Sequence, residues 1–280
     1  MKKISMLHLL VALAFMISAC AKGGGTIENP DPEDPDPSPF TKNVLIMEFV
    51  SFDCVYCPAV SNVLRELSEE IHPKRIDIVS VHGRLEEDDP MEFKGYQPFQ
   101  NYFYGVTGYP AVIVDQRDDF VSVGTFDASG DAFSRRINAA APIGIALSST
   151  VTDANTVHVE VRVVNKGKSS PDYRLAVAVL ENDIAYRQAD LVNGSKQWID
   201  DYRHQHVLRA FLSENYFGDP MGTLAENDSY SKTFAYTIPA AYQTDNLSFV
   251  AYVVEAKGFS SRVSVNSRTV AIGQAVDFLE

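Results

Sequence analysis

The stretch VLIMEFVSFDCVYCPAV, residues 44–60, decides how this chain is read. Its first seven residues form a near-continuous apolar run, the pattern of a strand buried on both faces. Two cysteines three apart, Cys54 and Cys57, follow at once. Beyond them Val60, Leu64, Leu67 and Ile71 recur at spacings of four, three and four, one face of a helix that ends near His72-Pro73. The cysteines therefore stand where a strand gives way to a helix. Unpaired amide N–H groups and the macrodipole at such a start favour a thiolate at Cys54. Pro58 suits the first helical turn, where its missing N–H costs little.

Such a pair serves as a redox switch, as half of a metal site or as a staple. Structural zinc takes four ligands, usually from two pairs; here there is one pair, and the six histidines are scattered, so no metal is expected. A staple closing so small a ring would constrain the unfolded chain little. Redox chemistry and an inert pair both stay open on this pair alone.

Residues 75–83, RIDIVSVHG, read as a second strand. In YGVTGYPAVIVD, residues 104–115, Gly108 and Tyr109 precede Pro110 at the head of a third. Proline suits a cis kink there, because X–Pro bonds give up only ~0.5–1 kcal/mol in turning cis. Residues 120–124 read as a last hairpin strand, and Ala132, Phe133, Ile137 and Ala140 as a closing helix after Ser129-Gly130. This order, with the Cys-x-x-Cys and Gly-Tyr-Pro segments, resembles the thioredoxin fold.

The resemblance implies roles. Cys54 would be the nucleophile and Cys57 the resolving thiol, paired as a disulfide when oxidised. Pro110 would be the cis-proline, its backbone and that of Tyr109 holding a partner peptide as an added strand. Glu48 stands six residues before Cys54, as the buried acid of thioredoxins does, and would accept the proton of the resolving thiol. Burial would raise its pKa. Exchange of this kind needs no cofactor, and its partners would be protein thiols or disulfides. Some features depart from the pattern. Phe52-Asp53 replace the usual tryptophan, and a carboxylate at Asp53 opposes thiolate formation. Ser80 stands about where a lysine would pair with Glu48. An insert at 84–104 carries Phe93, Tyr96, Phe99, Tyr102 and Phe103, read as the core of an extra helix or, in a second reading, as a lid.

From Pro142 on, strands follow strands. Val157, Val159, Val161 and Val163 alternate with His158, Glu160 and Arg162, and about seven such segments suit an immunoglobulin-like sandwich. The expected fold is thus an α/β thioredoxin-like domain at 40–141 followed by an all-β immunoglobulin-like sandwich at 142–280. Excursions near 183–203, which holds Trp198, and 212–229 interrupt the strands. His204 and His206 would share one face of a strand as a metal pair does, but no third ligand is evident and packing histidines are expected.

The chain begins with Lys2 and Lys3, a short apolar run at 9–17 and Ser18-Ala19 before Cys20. Ile-Ser-Ala-Cys resembles a bacterial lipobox, which makes 1–19 a leader and Cys20 the lipidated residue; an ordinary secretory signal is the alternative. Residues 20–39 interleave glycines, five prolines and acids, a solvated tether rising about 3.1 Å per residue in its proline-rich half. The formal net charge is −13, and losing Lys2 and Lys3 takes it to −15. Repulsion excludes nucleic acid and anionic headgroups as partners, so membrane contact is expected through the anchor alone.

The lipobox start, the Cys-x-x-Cys half, Gly-Tyr-Pro and the His-x-His-Val-Leu-Arg stretch at 204–209 together resemble the outer-membrane lipoproteins of about twenty-eight kilodaltons in Bacteroides-type bacteria. The resemblance implies an outer-membrane location, facing periplasm or cell surface. Two functions follow as expectations: disulfide exchange outside the cytoplasm, or binding of a surface ligand through the β-sandwich, with the first half as scaffold.

Overall fold

The computed structural model describes residues 40–103, 105–117, 121–124, 126, 131–153, 155–168, 172–257 and 261–280. The leader, the tether with Cys20, Phe120 and Ser129-Gly130 lie outside them.

Strand β1 (Val44–Val50) is buried at every position, as its apolar run requires. It pairs in parallel with β2 (Ile76–His82) and antiparallel with β3 (Ala111–Val114), which pairs antiparallel with β4 (Val121–Val123). Helix α1 (Cys57–Glu66), extended by a π-helical turn at Leu67–Ile71, links the two parallel strands. Two seven-residue helices complete this half: α2 (Tyr96–Tyr102) and α3 (Asp131–Ile137).

The rest is strand: β5 (Ile143–Asp153), β6 (Thr156–Asn165), β7 (Asp172–Glu181), β8 (Ile184–Ala185), β9 (Gln188–Val192), β10 (Ser195–Ile199), β11 (Arg203–His204), β12 (Val207–Phe211), β13 (Asp219–Thr223), β14 (Ser229–Thr237), β15 (Leu247–Lys257), β16 (Ser261–Ala271) and β17 (Ala275–Val276). One mixed sheet runs β16-β15-β7-β12-β2-β1-β3-β4, with β13 also on β7, and a second runs β14-β6-β5-β17.

The expected fold class is therefore corrected. The chain is mostly β, and it does not build an α/β thioredoxin-like domain beside a separate immunoglobulin-like sandwich. The main sheet passes through both halves. Its join is the parallel pairing of Val207 with Ser80, where the Ser80 N–H donates to the His206 carbonyl at 2.9 Å. The physical cause is that β7 and β15 are apolar on both faces. Leu175, Val177 and Val179, with Phe249, Ala251 and Val253, face the valines of β6. Ala176, Ala178 and Leu180, with Val250, Tyr252 and Val254, face Phe49, Val81, Phe93 and Phe99. Each fully buried Val, Leu or Phe contributes about 1.5–3 kcal/mol; the first of these cores lies wholly beyond residue 142, but the second draws on both halves and would be divided by a cut there. The aromatics of the 84–104 insert are part of this packing and not a lid: Phe93, Tyr96, Phe99 and Phe103 are buried.

A buried ion pair ties the start of β1 to the far end of the chain. Lys42 Nζ donates to Asp115 at 2.9 Å and to the Ser264 carbonyl at 3.1 Å, and Asp115 also accepts from the Leu45 N–H at 3.1 Å. Burial lowers the Lys42 pKa and raises that of Asp115, while the opposite charge of each partner counters the shift. Breaking a buried pair leaves one uncompensated charge. Lys42→Met should therefore lose about 3–5 kcal/mol of stability, and Lys42→Met with Asp115→Asn should lose less; urea unfolding of both variants checks the order.

Candidate functional site

Cys54 and Cys57 are joined by a disulfide, with Cα atoms 5.5 Å apart. Helix α1 begins at the second cysteine, not the first; Cys54 lies in the turn before it, held by its N–H to the Ser51 carbonyl at 3.2 Å. Both residues are 2% exposed, packed with Val50 and Tyr109. The Tyr109–Pro110 peptide is cis. The Tyr109 hydroxyl stays protonated, since burial and then the carboxylates of Glu92, Asp89 and Asp53 push its pKa up. Gly83, at the end of β2, leaves the room that the rings of Tyr96 and Tyr109 occupy.

The burial has a specific cause. The segment 183–203 folds as short strands, and its β9–β10 hairpin closes over the cysteine loop. The Ala189 N–H donates to the Phe52 carbonyl at 2.7 Å, and Gln188 Nε2 donates to the Cys54 carbonyl at 3.0 Å. Phe52 stacks on Trp198 at 5.9 Å and meets Tyr186 edge-on at 5.3 Å. Arg187 and Lys196 pair with Glu87 and Glu86 of the facing loop. Asp53 does not stand free beside the sulfur. It accepts from Ser51 Oγ at 2.6 Å and from the N–H groups of Glu86 and Glu87, which fixes that loop.

Glu48 is 3% exposed and lies opposite Ser80 in the β1–β2 register. Its carboxyl accepts from Ser61 Oγ at 2.6 Å and Ser80 Oγ at 3.2 Å. Burial raises its pKa, while those two hydroxyls and the charge of His82 pull it back. Glu48 and Cys57 line the same cavity, of about 350 Å³. His82, Tyr202, His204 and His206 also line it. His82 Nδ1 is bonded to Asp89 at 2.9 Å. Burial acts to raise the Asp89 pKa, but His82 and the N–H groups of Met91 and Phe52 bring it below the ordinary value.

His204 and His206 do not share a strand face. His206 takes a positive φ of 55° between β11 and β12. His204 is 4% exposed and packs on His82 and Tyr202, with ring centroids 5.1 and 4.8 Å away. Among the described residues, no group of three or more His, Cys, Asp or Glu side chains is placed to hold a metal ion. The hairpin cover, Gln188 and His82–Asp89 escaped the sequence reading. One signal for the cover was present: Asn193-Gly194, both at positive φ, is the favoured two-residue hairpin turn.

Burial, and then the neighbouring His82 charge, lower the His204 pKa from 6.5 to about 3. Between those values the unfolded chain binds a proton that the folded chain does not. Its stabilising contribution is thus present above about pH 6.5 and lost as the pH falls toward 3, by at most about 1.4 kcal/mol per pH unit. Glu48, raised by burial, works in the opposite direction. Urea midpoints measured from pH 7.5 to 4.5 should fall more steeply for the wild type than for His204→Phe.

No curated protein matches this chain. Among solved structures, HBP35 of Porphyromonas gingivalis is similar, with TM-score 0.65, 19% identity, and coverage of 84% of this chain and 76% of that one. At that identity the likeness is one of fold alone. A domain of the outer membrane lipoprotein Omp28 from the same organism matches at TM-score 0.31 and 20% identity, covering 47% of this chain and 88% of that one. The family model for outer membrane protein Omp28 matches residues 97–276, a span that holds Pro110, Gln188 and His204 but not the cysteines. That match covers well over half of the sequence and agrees with the outer-membrane location that the resemblance implied: the chain belongs to the Omp28 family of outer-membrane proteins.

Proposed function

We propose that Cys54 and Cys57 form a guarded thiol–disulfide centre on an outer-membrane protein anchored through lipid at Cys20. One observation carries the reading: a buried carboxyl, Glu48, lines the same cavity as Cys57. A staple has no use for an acid whose burial costs stability, whereas exchange needs a group that takes and returns a proton. In the reduced protein the Cys54 thiolate attacks a partner disulfide. One partner sulfur leaves as thiolate, and the other stays bonded to Cys54. Cys57 then gives its proton to Glu48 and attacks the Cys54 sulfur. The partner leaves with both sulfurs reduced, and the internal disulfide closes. For a protein partner, the β9–β10 hairpin has to lift from Phe52 and Cys54 before a peptide lies beside Tyr109-Pro110.

The 2% exposure of both cysteines favours a second reading. There the pair is a sealed clip, and the protein binds a surface ligand without redox chemistry.

The full-length protein in detergent, given a dithiol and insulin, separates the two. Slow precipitation of insulin B chain is expected. Cys54→Ser should abolish it, and Glu48→Gln should slow it by roughly a hundredfold. Gln188→Ala, which removes the bond from the cover to the Cys54 carbonyl, should speed it severalfold. No turnover by any variant, with thiols appearing only on denaturation, would establish the sealed clip.

A further inference from the structure

The cavity approaches the disulfide from an unexpected side. Cys57 lines it and Cys54 does not. Gln188, also in the lining, holds the Cys54 backbone carbonyl, while Tyr109 packs against both cysteines. In the closed form the open approach is thus to the residue that would ordinarily act second. A folded partner does not fit into about 350 Å³, but a small molecule does.

The lining states which chemistry fits. Arg65, Glu69 and Arg203 belong to it, with side chains 53%, 60% and 55% exposed. Arg65 and Glu69 pair with each other at 3.4 Å, and Arg203 with Asp183 at 3.5 Å. Exposed pairs of this length contribute little and exchange readily for the charges of a ligand. They offer both signs, suited to a carboxylate and an ammonium on one molecule. Deeper in, the buried Nε2 of His204 has no hydrogen-bond partner. An unpaired buried ring nitrogen favours a ligand that brings a hydrogen-bonding group.

We propose that this cavity admits a small aminothiol, one carrying both an ammonium and a carboxylate, to the sulfur of Cys57. The proposal rests on the thiol–disulfide reading and names its substrate class. The incoming thiol gives its proton to Glu48, and its thiolate attacks Cys57. A new S–S bond forms between ligand and Cys57, the Cys54–Cys57 bond breaks, and the electron pair leaves on Cys54. A second aminothiol attacks the ligand sulfur of that mixed disulfide. The oxidised dimer of the ligand departs, Cys57 takes the proton from Glu48, and Cys54 takes the proton of the second thiol. Two thiols are oxidised to one disulfide, and one protein disulfide is reduced to two thiols.

L-Cysteine is the probe, with neutral 2-mercaptoethanol as control, on the oxidised full-length protein. After acid quench and alkylation, peptide mass mapping should find cysteine on Cys57 and the alkyl group on Cys54. The rate should saturate with L-cysteine but rise linearly with 2-mercaptoethanol. Arg203→Glu should raise the half-saturating L-cysteine concentration severalfold. An adduct on Cys54, or linear and equal dependence on both thiols, would overturn the cavity proposal. If insulin turnover persists in that case, the exchange reading stands without it. If neither thiol opens the native disulfide and insulin is not turned over, both fall.

Discussion

Ser80 is the residue on which the arrangement depends. Its backbone N–H donates to the His206 carbonyl, which joins the main sheet across the two halves of the chain. Its side-chain hydroxyl donates to Glu48. One residue therefore fixes the seam of the sheet and half of the carboxyl's hydrogen bonding. A lysine there would have brought a charge to Glu48. A hydroxyl brings no charge: burial raises the carboxyl's pKa, and the hydrogen bond from Ser80 only opposes that shift. The seam also delivers Tyr202, His204 and His206 to the wall of the cavity that Glu48 and Cys57 share. Sheet continuity and site composition are thus one constraint, met at a single position.

Much of the first half was legible in the sequence because its signals are local. An unbroken apolar run means a strand covered on both faces, and β1 is one. A four-three-four spacing means a helix face, and Val60, Leu64 and Leu67 are buried on α1 and the turn after it. The error lay in cutting the chain at residue 142. LAVAVL at 175–180 and LSFVAYVV at 247–254 are as continuously apolar as VLIMEFV, and the same rule reads all three as buried on both faces. Strict alternation, as in β6, is what a strand with one wet face shows, and β6 does show it. A sandwich closed on itself needs alternation throughout. Two unbroken strands therefore asked for a second layer, and the aromatics of the 84–104 insert supply it.

The cover over the cysteines was harder to read, for a physical reason. Its hold on the site runs through the Phe52 and Cys54 carbonyls, which any residue carries, and through Phe52 and Trp198, residues 146 apart. Non-local contacts of this kind leave no periodicity. The Asn193-Gly194 turn marks that a hairpin exists but not where it lies. The lone tryptophan and the phenylalanine standing in place of the expected tryptophan are two ends of one contact, visible as such only once the chain is folded.

The cover also changes what the dipole at the start of α1 can do. A helix N-terminus stabilises a thiolate most when the thiolate lies within its first turn, and Cys54 lies before that turn. The Cys54 carbonyl is already bound by Gln188 and the adjacent Phe52 carbonyl by Ala189, so the loop that carries the sulfur is held from outside the helix. Lifting the hairpin would break those bonds and free the loop to move. The acidity of Cys54 and its accessibility would then change together, because both depend on the same two hydrogen bonds. On the proposed reading such a centre would be quiet when closed and reactive when opened, its chemistry tied to whatever displaces a hairpin held by two hydrogen bonds, one stacked tryptophan and two surface ion pairs.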